Sequence, residues 1–403
     1  MTRTLAILLL ALPIMRLAAG QATRAVPPPR AADTSPYLVG ALMCPLWDSA
    51  KFWKPVAAYP DRKPVLGWYD EGTPEVTDWE IKFALDHGVS FFLVCWYRAK
   101  DNLGKRPIRA LHERWITNGL FNARFRDSFK FCILWENAND IACGVASEDD
   151  LLHNLLPYWL ATFFKHPSYL ILDGKPVLAV YGVGKFVDAL GGEEKASAAV
   201  TKMESACRAA GFQGLHFLGQ HCWGDPVPPA QQMRRIGLSH SSAYHLPSFL
   251  GRDYAPPGLA PDAEQIIAGQ EKSWRTMETL AVPNIITLSM GWDSSPWGGS
   301  TSKVRWRLTP DRFKTLCAQA KRMVEQRDRT TLEGRLILID NWNEYGEGHY
   351  VFPCAEHGFG YLDAIRSVFA PHAGPHEDVV PADVGLGPYD VAGLSPAPTP
   401  TKH

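Results

Sequence analysis

Along the chain, short apolar runs alternate with stretches in which apolar positions recur every three or four residues. The runs are "YLVGALMCPLW" from Tyr37, "VSFFLVCWY" from Val89, "FKFCILWEN" from Phe129 and "PVLAVYGV" from Pro176, then "LHFLGQHCW" from Leu215, "GLSHSSAYH" from Gly237, "NIITLSMGW" from Asn284 and "RLILIDNWNE" from Arg335. Several are apolar at consecutive positions, the pattern of parallel strands covered on both faces. The run from Gly237 is the short, polar exception. Between the runs lie helical patterns. "TDWEIKFALDHG" has a cap at Thr77 or Asp78 and a stop at Gly88. "SEDDLLHNLLPYWLATFF" opens with Ser147 and Asp150 spaced as a capping box, and Pro157 predicts a kink or a late start. "EEKASAAVTKMESACRAAG" stops at Gly211, "PDAEQIIAGQEKSWRTMETL" follows the sixth run, and "TPDRFKTLCAQAKRMVEQR" has Thr309 as cap with Pro310 at its first position. Eight strands in a β-then-α rhythm predict an α/β fold, a closed (β/α)8 TIM barrel forming a single catalytic domain. No Gly-x-Gly-x-x-Gly follows the first strand, which argues against a dinucleotide-binding sheet.

The ends of the chain read differently. Arg3, the apolar "LAILLLALPIM" and the small residues "LAAG" form an export signal over residues 1–20, with cleavage after Gly20. The apolar run is too short to span a bilayer comfortably, and no cysteine follows it to carry a lipid. Residues 21–35 read as a flexible linker, 36–370 as the barrel, and 371–403 as a Pro-rich tail of loop and disorder, partly packed on the barrel. The expected location is secreted or periplasmic, without stable membrane insertion after cleavage. Export permits disulfides. Cys95 and Cys132 lie in apolar runs and read as buried thiols, whereas Cys143 and Cys354 lie in loops open to bridging.

Composition narrows the function classes. A net charge of −1 and the lack of a long basic run give no reason to expect nucleic acid. The 14 Trp and 13 Tyr suit the faces of sugar rings. In a barrel the site forms at the C-terminal ends of the strands. The first strand is followed by Asp70 and Glu71; the second ends in Trp96, Tyr97 and Arg98; the third in Trp135, Glu136 and Asn137; the fourth at Tyr181. The fifth ends in His221 and Trp223, the sixth in Tyr244 and His245, the seventh in Trp292 and Asp293. Aromatic and polar side chains thus collect at one rim, as in a sugar-binding cleft. Glu136 or Asn137 is a candidate partner for Arg98. The rim histidines lack a recognisable ligand spacing, so neither a metal nor another cofactor is expected.

The eighth strand ends in "NWNEYGEGHY". Glu344 and Glu347, flanked by Asn343 and Tyr350, are three apart and would face opposite ways in a continuing strand. A left-handed Gly346 would turn Glu347 back over the mouth that holds Glu344. Two carboxylates in one cleft separate in pKa, leaving one ionised and one protonated, as glycosidic cleavage requires. This motif resembles the Asn-Glu-Trp-x-Glu-Gly signature of glycoside hydrolase family 99 and the related WbsX-like proteins. "KHPSYLILDGKPVLAVY" is similar to that family's fourth-strand segment, "DHGVSFFLVCWYR" to its second strand and "FCILWENAN" to its third, in matching order from Tyr37 to Ala370. The resemblance implies a barrel that acts on α-mannosidic or related links with retention, through a 1,2-anhydro sugar. It puts the general base on Glu344 and the general acid on Glu347. Tyr345 and Gly346 replace the Trp and His of mannosidase members, which places the chain nearer the WbsX-like branch.

The expected partner is therefore a poly- or oligosaccharide; sugar, linkage and oligomeric state stay open. Competing readings are a WbsX-like glycosyltransferase, a non-catalytic carbohydrate-binding barrel and a metallohydrolase. Against the transferase stand the lack of an Asp-x-Asp motif and the absence of nucleotide sugars where exported proteins act.

Overall fold

The structure, a computed structural model, describes residues 24–222, 224–246, 261–298 and 305–394. Eight parallel strands form the barrel: β1 (Leu38–Met43), β2 (Val89–Arg98), β3 (Lys130–Glu136), β4 (Lys175–Val180), β5 (His216–His221), β6 (His240–Ala243), β7 (Ile286–Leu288) and β8 (Leu336–Ile339). The hydrogen-bonded order runs β6-β5-β4-β3-β2-β1-β8-β7. The ring closes between β6 and β7, strands of four and three residues, through a single parallel bridge from Ser241 to Asn284. At this seam the Ala243 N–H donates to Thr287 Oγ1 (3.1 Å), so a side chain does the work of a ladder carbonyl.

Alternation along β1 and β2 sorts core from cleft. Gly40 pairs with Phe91 and cedes it space, since a Cβ on Gly40 would stand 2.1 Å from the ring. The same parity continues through Leu42 and Leu93 to Cys44 and Cys95, whose sulfurs lie 3.8 Å apart at the floor of a cleft. The opposite parity carries Phe92 and Trp96 outward against Trp115 and Trp159.

The helices differ from the sequence in detail. The first long helix spans Pro74–Asp86, with Pro74 at its first position and Thr73 before it. Thr77 and Asp78 therefore lie inside it, and Asp78 accepts from the Phe125 N–H (3.1 Å). Gly88 does end the segment, at φ +87°. The segment from Glu148 contains two widened turns, Leu151–Leu155 and Leu160–Phe164, around a short α-turn that holds Pro157. A proline without an N–H, whose ring crowds the carbonyl four residues back, is accommodated by such widening. Ser147, Thr309 and Asp262 cap their helices, the last with Gln265 in a full capping box.

The flanking segments pack on the barrel. Within the expected linker, Val26 is buried and the Ala32 N–H donates to the Leu85 carbonyl (2.9 Å). Over its described residues, 371–394, the tail is largely irregular and is tied to the barrel. Tyr389 and Val391 donate to the Leu66 and Trp68 carbonyls, and Tyr389 Oη accepts from Trp79 Nε1 (2.9 Å). The expected export signal lies outside the described residues. Among the described residues no helix is long and apolar enough to cross a membrane. All eight cysteines are thiols; Cys143 Sγ faces the Ala99 carbonyl at 3.2 Å, and Cys354 is buried, so the bridging left open for both is not formed.

Arg98 corrects another expectation. It pairs with Asp150 through two contacts, 2.7 and 3.1 Å, and not with Glu136 or Asn137. Register explains this: Glu136 stands opposite Tyr97, on the cleft side, and Arg98 faces the other way. Both partners are buried, so removing the anion leaves the guanidinium with neutral acceptors only, Asn102 Oδ1 (3.2 Å) and the Lys105 carbonyl (3.1 Å) among them. Asp150→Asn is expected to lower the unfolding free energy by ~3 kcal/mol, measured by urea titration; an unshifted midpoint would refute the buried-pair account.

Candidate active site

Beyond β8 the chain forms a two-residue ribbon in which Asn343 pairs with Tyr350 and Glu344 with His349. The intervening loop carries Glu347. Gly348, at φ +73°, supplies the left-handed turn that the sequence assigned to Gly346. Gly346 is needed for a different reason: a Cβ there would stand 1.9 Å from the Trp297 ring. The hairpin is pinned from outside. Arg62 Nη1 donates to the Tyr345 carbonyl (2.6 Å), and Arg307 Nη2 to that of Gly348 (3.0 Å).

The two acids face one cavity of about 400 Å3, but in unlike surroundings. Glu347 Oε2 accepts from Tyr244 Oη (2.7 Å) and from His349 Nε2 (2.9 Å). His349 Nδ1 lies 3.1 Å from Asp340 Oδ2, which also meets His245 Nδ1 at 2.9 Å. Burial opposes a charge on His349, yet Asp340 and Glu347 outweigh it and push its pKa up to about 10. Burial likewise opposes charge on Glu347, but the hydrogen bonds from His349 and Tyr244 and the charge on His349 hold its carboxyl below the usual range. Glu344 accepts from Trp297 Nε1 (3.3 Å). Burial, then the neighbouring Glu347, push Glu344 up to about 7. At neutral pH the site thus holds one firmly ionised carboxylate beside one poised to carry a proton.

Of the residues expected at the rim, Tyr97, Glu136, Tyr181 and Tyr244 line this cavity. Glu136 is buried, which raises its carboxyl, against N–H donors from Ala138 (2.9 Å) and Asn139 (3.2 Å). Tyr181 stands edge-on to Tyr244, 5.5 Å between ring centres. The others lie elsewhere. Trp96 and Trp135 point out of the barrel and pack on Trp159, with Trp96 Nε1 donating to Glu113. Asn137 exchanges two hydrogen bonds with the Gly182 backbone, locking the third rim loop to the fourth. His221 lines a neighbouring cavity of about 460 Å3 that shares Tyr181 with the cleft. His245 and Trp292 form a layer beneath Glu347, their rings 4.7 Å apart. Asn343 holds β1 by accepting from the Cys44 N–H (2.9 Å). Tyr350 accepts from Arg307 and packs on Tyr345. Asp70 pairs with Arg114 (3.0 Å) away from the cleft. Glu71 is fully buried beside Glu80. Trp223 lies outside the described residues.

Asp340, Trp297, Cys44, Cys95 and Asn139 complete the site and were not placed there from sequence, where Cys95 read only as a buried thiol. Asp340 follows the eighth strand directly and continues its apolar run, a signal open to a reader who asks why an acid ends a buried strand. Cys44 and Cys95 were readable from alternation once Tyr97 was placed inside.

The fold is that of known glycan-active barrels in outline. A solved glycoside hydrolase family 99 endo-α-mannosidase from Bacteroides thetaiotaomicron, in complex with BIS-TRIS-propane, superposes with a TM-score of 0.54 at 17% identity, over 83% of this chain and 96% of that one. A structure described as a glycoside hydrolase-like protein gives 0.57 at 16%, over 84% and 94%. These likenesses establish the barrel fold. The family described as glycosyltransferase WbsX matches residues 58–365, and the chain belongs to this family. Two curated relatives, each an uncharacterized protein WxcX of Xanthomonas campestris pv. campestris, are 25% identical over 324 residues, covering 75% of this chain and 42% of theirs. The chain therefore spans less than half of these relatives' length.

Two outcomes test this electrostatic picture. His349→Gln removes the cation that keeps Glu347 ionised, so the Glu347 titration should move to higher pH by a unit or more, about 1.4 kcal/mol per unit. Carbon-13 NMR of labelled glutamates reads this directly, and an unmoved titration would remove His349 from the account. Burial pushes Glu80 up to about 8. Its contribution to stability is therefore fully present below the unfolded value of 4.5 and lost as pH rises through about 8. Glu80→Gln should flatten the decline of unfolding free energy across that window in urea titrations at a series of pH values; an unaltered slope would place the titration elsewhere.

Proposed function

We propose that the protein is a retaining glycoside hydrolase that cleaves α-mannoside-like or related bonds in a poly- or oligosaccharide. The observation that carries this reading is the division of charge between Glu344 and Glu347 within one aromatic-lined cleft. The chemistry needs one base and one acid, and no cofactor. The fold shared with a family 99 endo-α-mannosidase and with a glycoside hydrolase-like protein supports a glycan substrate.

The first step runs through the sugar's own 2-hydroxyl. An ionised glutamate takes the O2 proton, O2 attacks the anomeric carbon, the glycosidic bond breaks, and the departing oxygen takes a proton from the second glutamate. Water then reverses the roles: the second glutamate takes its proton, its oxygen attacks the anomeric carbon, and O2 recovers the proton held by the first. Two inversions give retention. The family resemblance assigns the first role to Glu344. The hydrogen bonds in the site favour Glu347, which accepts from a cation and a phenol, while Glu344 meets only weaker neutral donors, the Trp297 indole N–H and the Cys44 thiol. Our reading follows the geometry: Glu347 starts as base and Glu344 as acid. Tyr97, Tyr181 and Trp297 offer faces and edges for sugar rings.

A second reading, glycosyl transfer, is favoured by the description of the matched family. Incubation with mannans and other polysaccharides, without nucleotide, separates the two. Release of reducing ends supports hydrolysis; product formed only with a nucleotide sugar would overturn it. Glu344→Gln and Glu347→Gln should each cost about 100-fold or more in turnover. On a glycosyl fluoride, which leaves without a proton, Glu344→Gln should recover the first step, read as a burst of released fluoride, and Glu347→Gln should not. The opposite rescue would restore the assignment implied by the resemblance.

A further inference from the structure

At the other end of the barrel, where β2 begins, a second group of histidine and carboxylate side chains converges. His87 directly follows the helix Pro74–Asp86, and His376 and Asp378 belong to the tail that returns across the barrel base. Asp363 comes from the helix Gly360–Phe369. His87 Nε2 lies 3.2 Å from Asp378 Oδ1 and 3.7 Å from Asp363 Oδ1. His376 Nε2 lies 2.9 Å from the same Asp378 oxygen. One ligand atom each from His87, His376 and Asp378 falls within 4.8 Å of the others. We propose that His87, His376, Asp378 and Asp363 form a tetrahedral site for a divalent transition metal of the zinc type, which clamps the C-terminal segment to the base of the barrel.

The spacing fits. Four ligands about 2.0 Å from a tetrahedral ion sit about 3.3 Å from one another; the contacts at 2.9, 3.2 and 3.7 Å bracket that value, and an ion would draw in the other pairs, with Asp363 closing on the trio of His87, His376 and Asp378 that already lies within 4.8 Å. The donor set of two imidazoles and two carboxylates is one that zinc accepts. The imidazole at the centre is held as a metal-binding histidine is held. His87 Nδ1 lies 2.7 Å from the Phe83 carbonyl, which fixes Nδ1 as the protonated nitrogen and turns Nε2 toward the cluster. The Phe359 ring stacks on its face, 5.5 Å away and 18° from parallel. His87 is 1% exposed, whereas the carboxylates open to solvent, which gives an ion a path in. The surrounding frame is fixed independently: Arg366 donates to the Asp86 carbonyl and to that of Gly374 (2.7 Å). His87 and Asp378 are 291 positions apart, so no ligand spacing in the sequence reveals the site.

The full chain, stripped with chelator and dialysed, should retain one zinc per molecule after incubation with excess Zn2+, by elemental analysis. Cobalt in its place should give the visible bands of a tetrahedral complex. Zinc should raise the thermal midpoint by a few degrees. His376 is half-buried against the His87 ring, 4.5 Å between centres, so each variant is compared with its own metal-free midpoint: His376→Ala should abolish zinc retention and the zinc-induced increment, and Asp378→Asn should weaken both. This test is independent of glycosidase activity. Failure to retain zinc would overturn the proposal in favour of a simple ion-paired cluster. Undiminished retention by His376→Ala would also overturn it, and would direct attention to His245, Asp340 and His349.

Discussion

A single buried imidazolium organises the cleft. His349 is fully enclosed and lies between two carboxylates, Asp340 and Glu347. An isolated charge in such a place would be neutralised by a pKa shift. Here each ion is retained because the next one is in place. Removing Asp340 would leave His349 with less reason to be charged, and Glu347 would lose the donor that keeps it ionised. The proton state of one cleft residue is thereby set two side chains deep, by an aspartate that is itself buried and in contact with two histidines.

That chain explains the backbone around it. To bring His349 beneath Glu347, the strand must reverse within a few residues, and Gly348 in the left-handed region provides the reversal. The reversal exposes carbonyls that a longer hairpin would pair internally; Arg62 and Arg307 satisfy them from neighbouring loops. Gly346, free of any special φ, lets Trp297 close over the loop and reach Glu344. The two glycines of "EYGEGH" thus serve opposite ends of one device, one shaping the chain and one admitting a ring.

Much of this was legible in the sequence, and what was not has a physical reason. Strand count and helix order follow from hydrophobic period and from caps such as Ser147 and Thr309, which act locally. Rim positions were legible only as a set. Trp96 and Tyr97 are neighbours in sequence and opposites in space, as are Trp135 and Glu136, because a strand alternates its faces. Glu71 looked like a rim acid because acids are seldom fully buried; it is buried beside Glu80 of the helix that follows, a pairing of two acids that no local pattern carries. The tail's composition resembles disorder, yet Tyr389 alone supplies a ring, a hydroxyl and a backbone donor to the first barrel unit. A few such anchors suffice to order an irregular segment.

The chain holds two groups of histidines and aspartates, and their surroundings suit them to different work. In the cleft, His245 and His349 both spend Nδ1 on one oxygen of Asp340, and His349 spends Nε2 on Glu347. A metal there would compete with the contact that ionises Glu347, at the cost of the charge division in the cleft. At the base, His87 spends Nδ1 on a backbone carbonyl, which leaves Nε2 directed at carboxylates that reach solvent. The same side-chain types thus act as a proton-state relay where burial is complete and each nitrogen has a protein partner. They become a ligand set where one nitrogen is anchored and the other faces anions. Burial and the identity of the second hydrogen-bond partner, more than the residue types, separate the two roles.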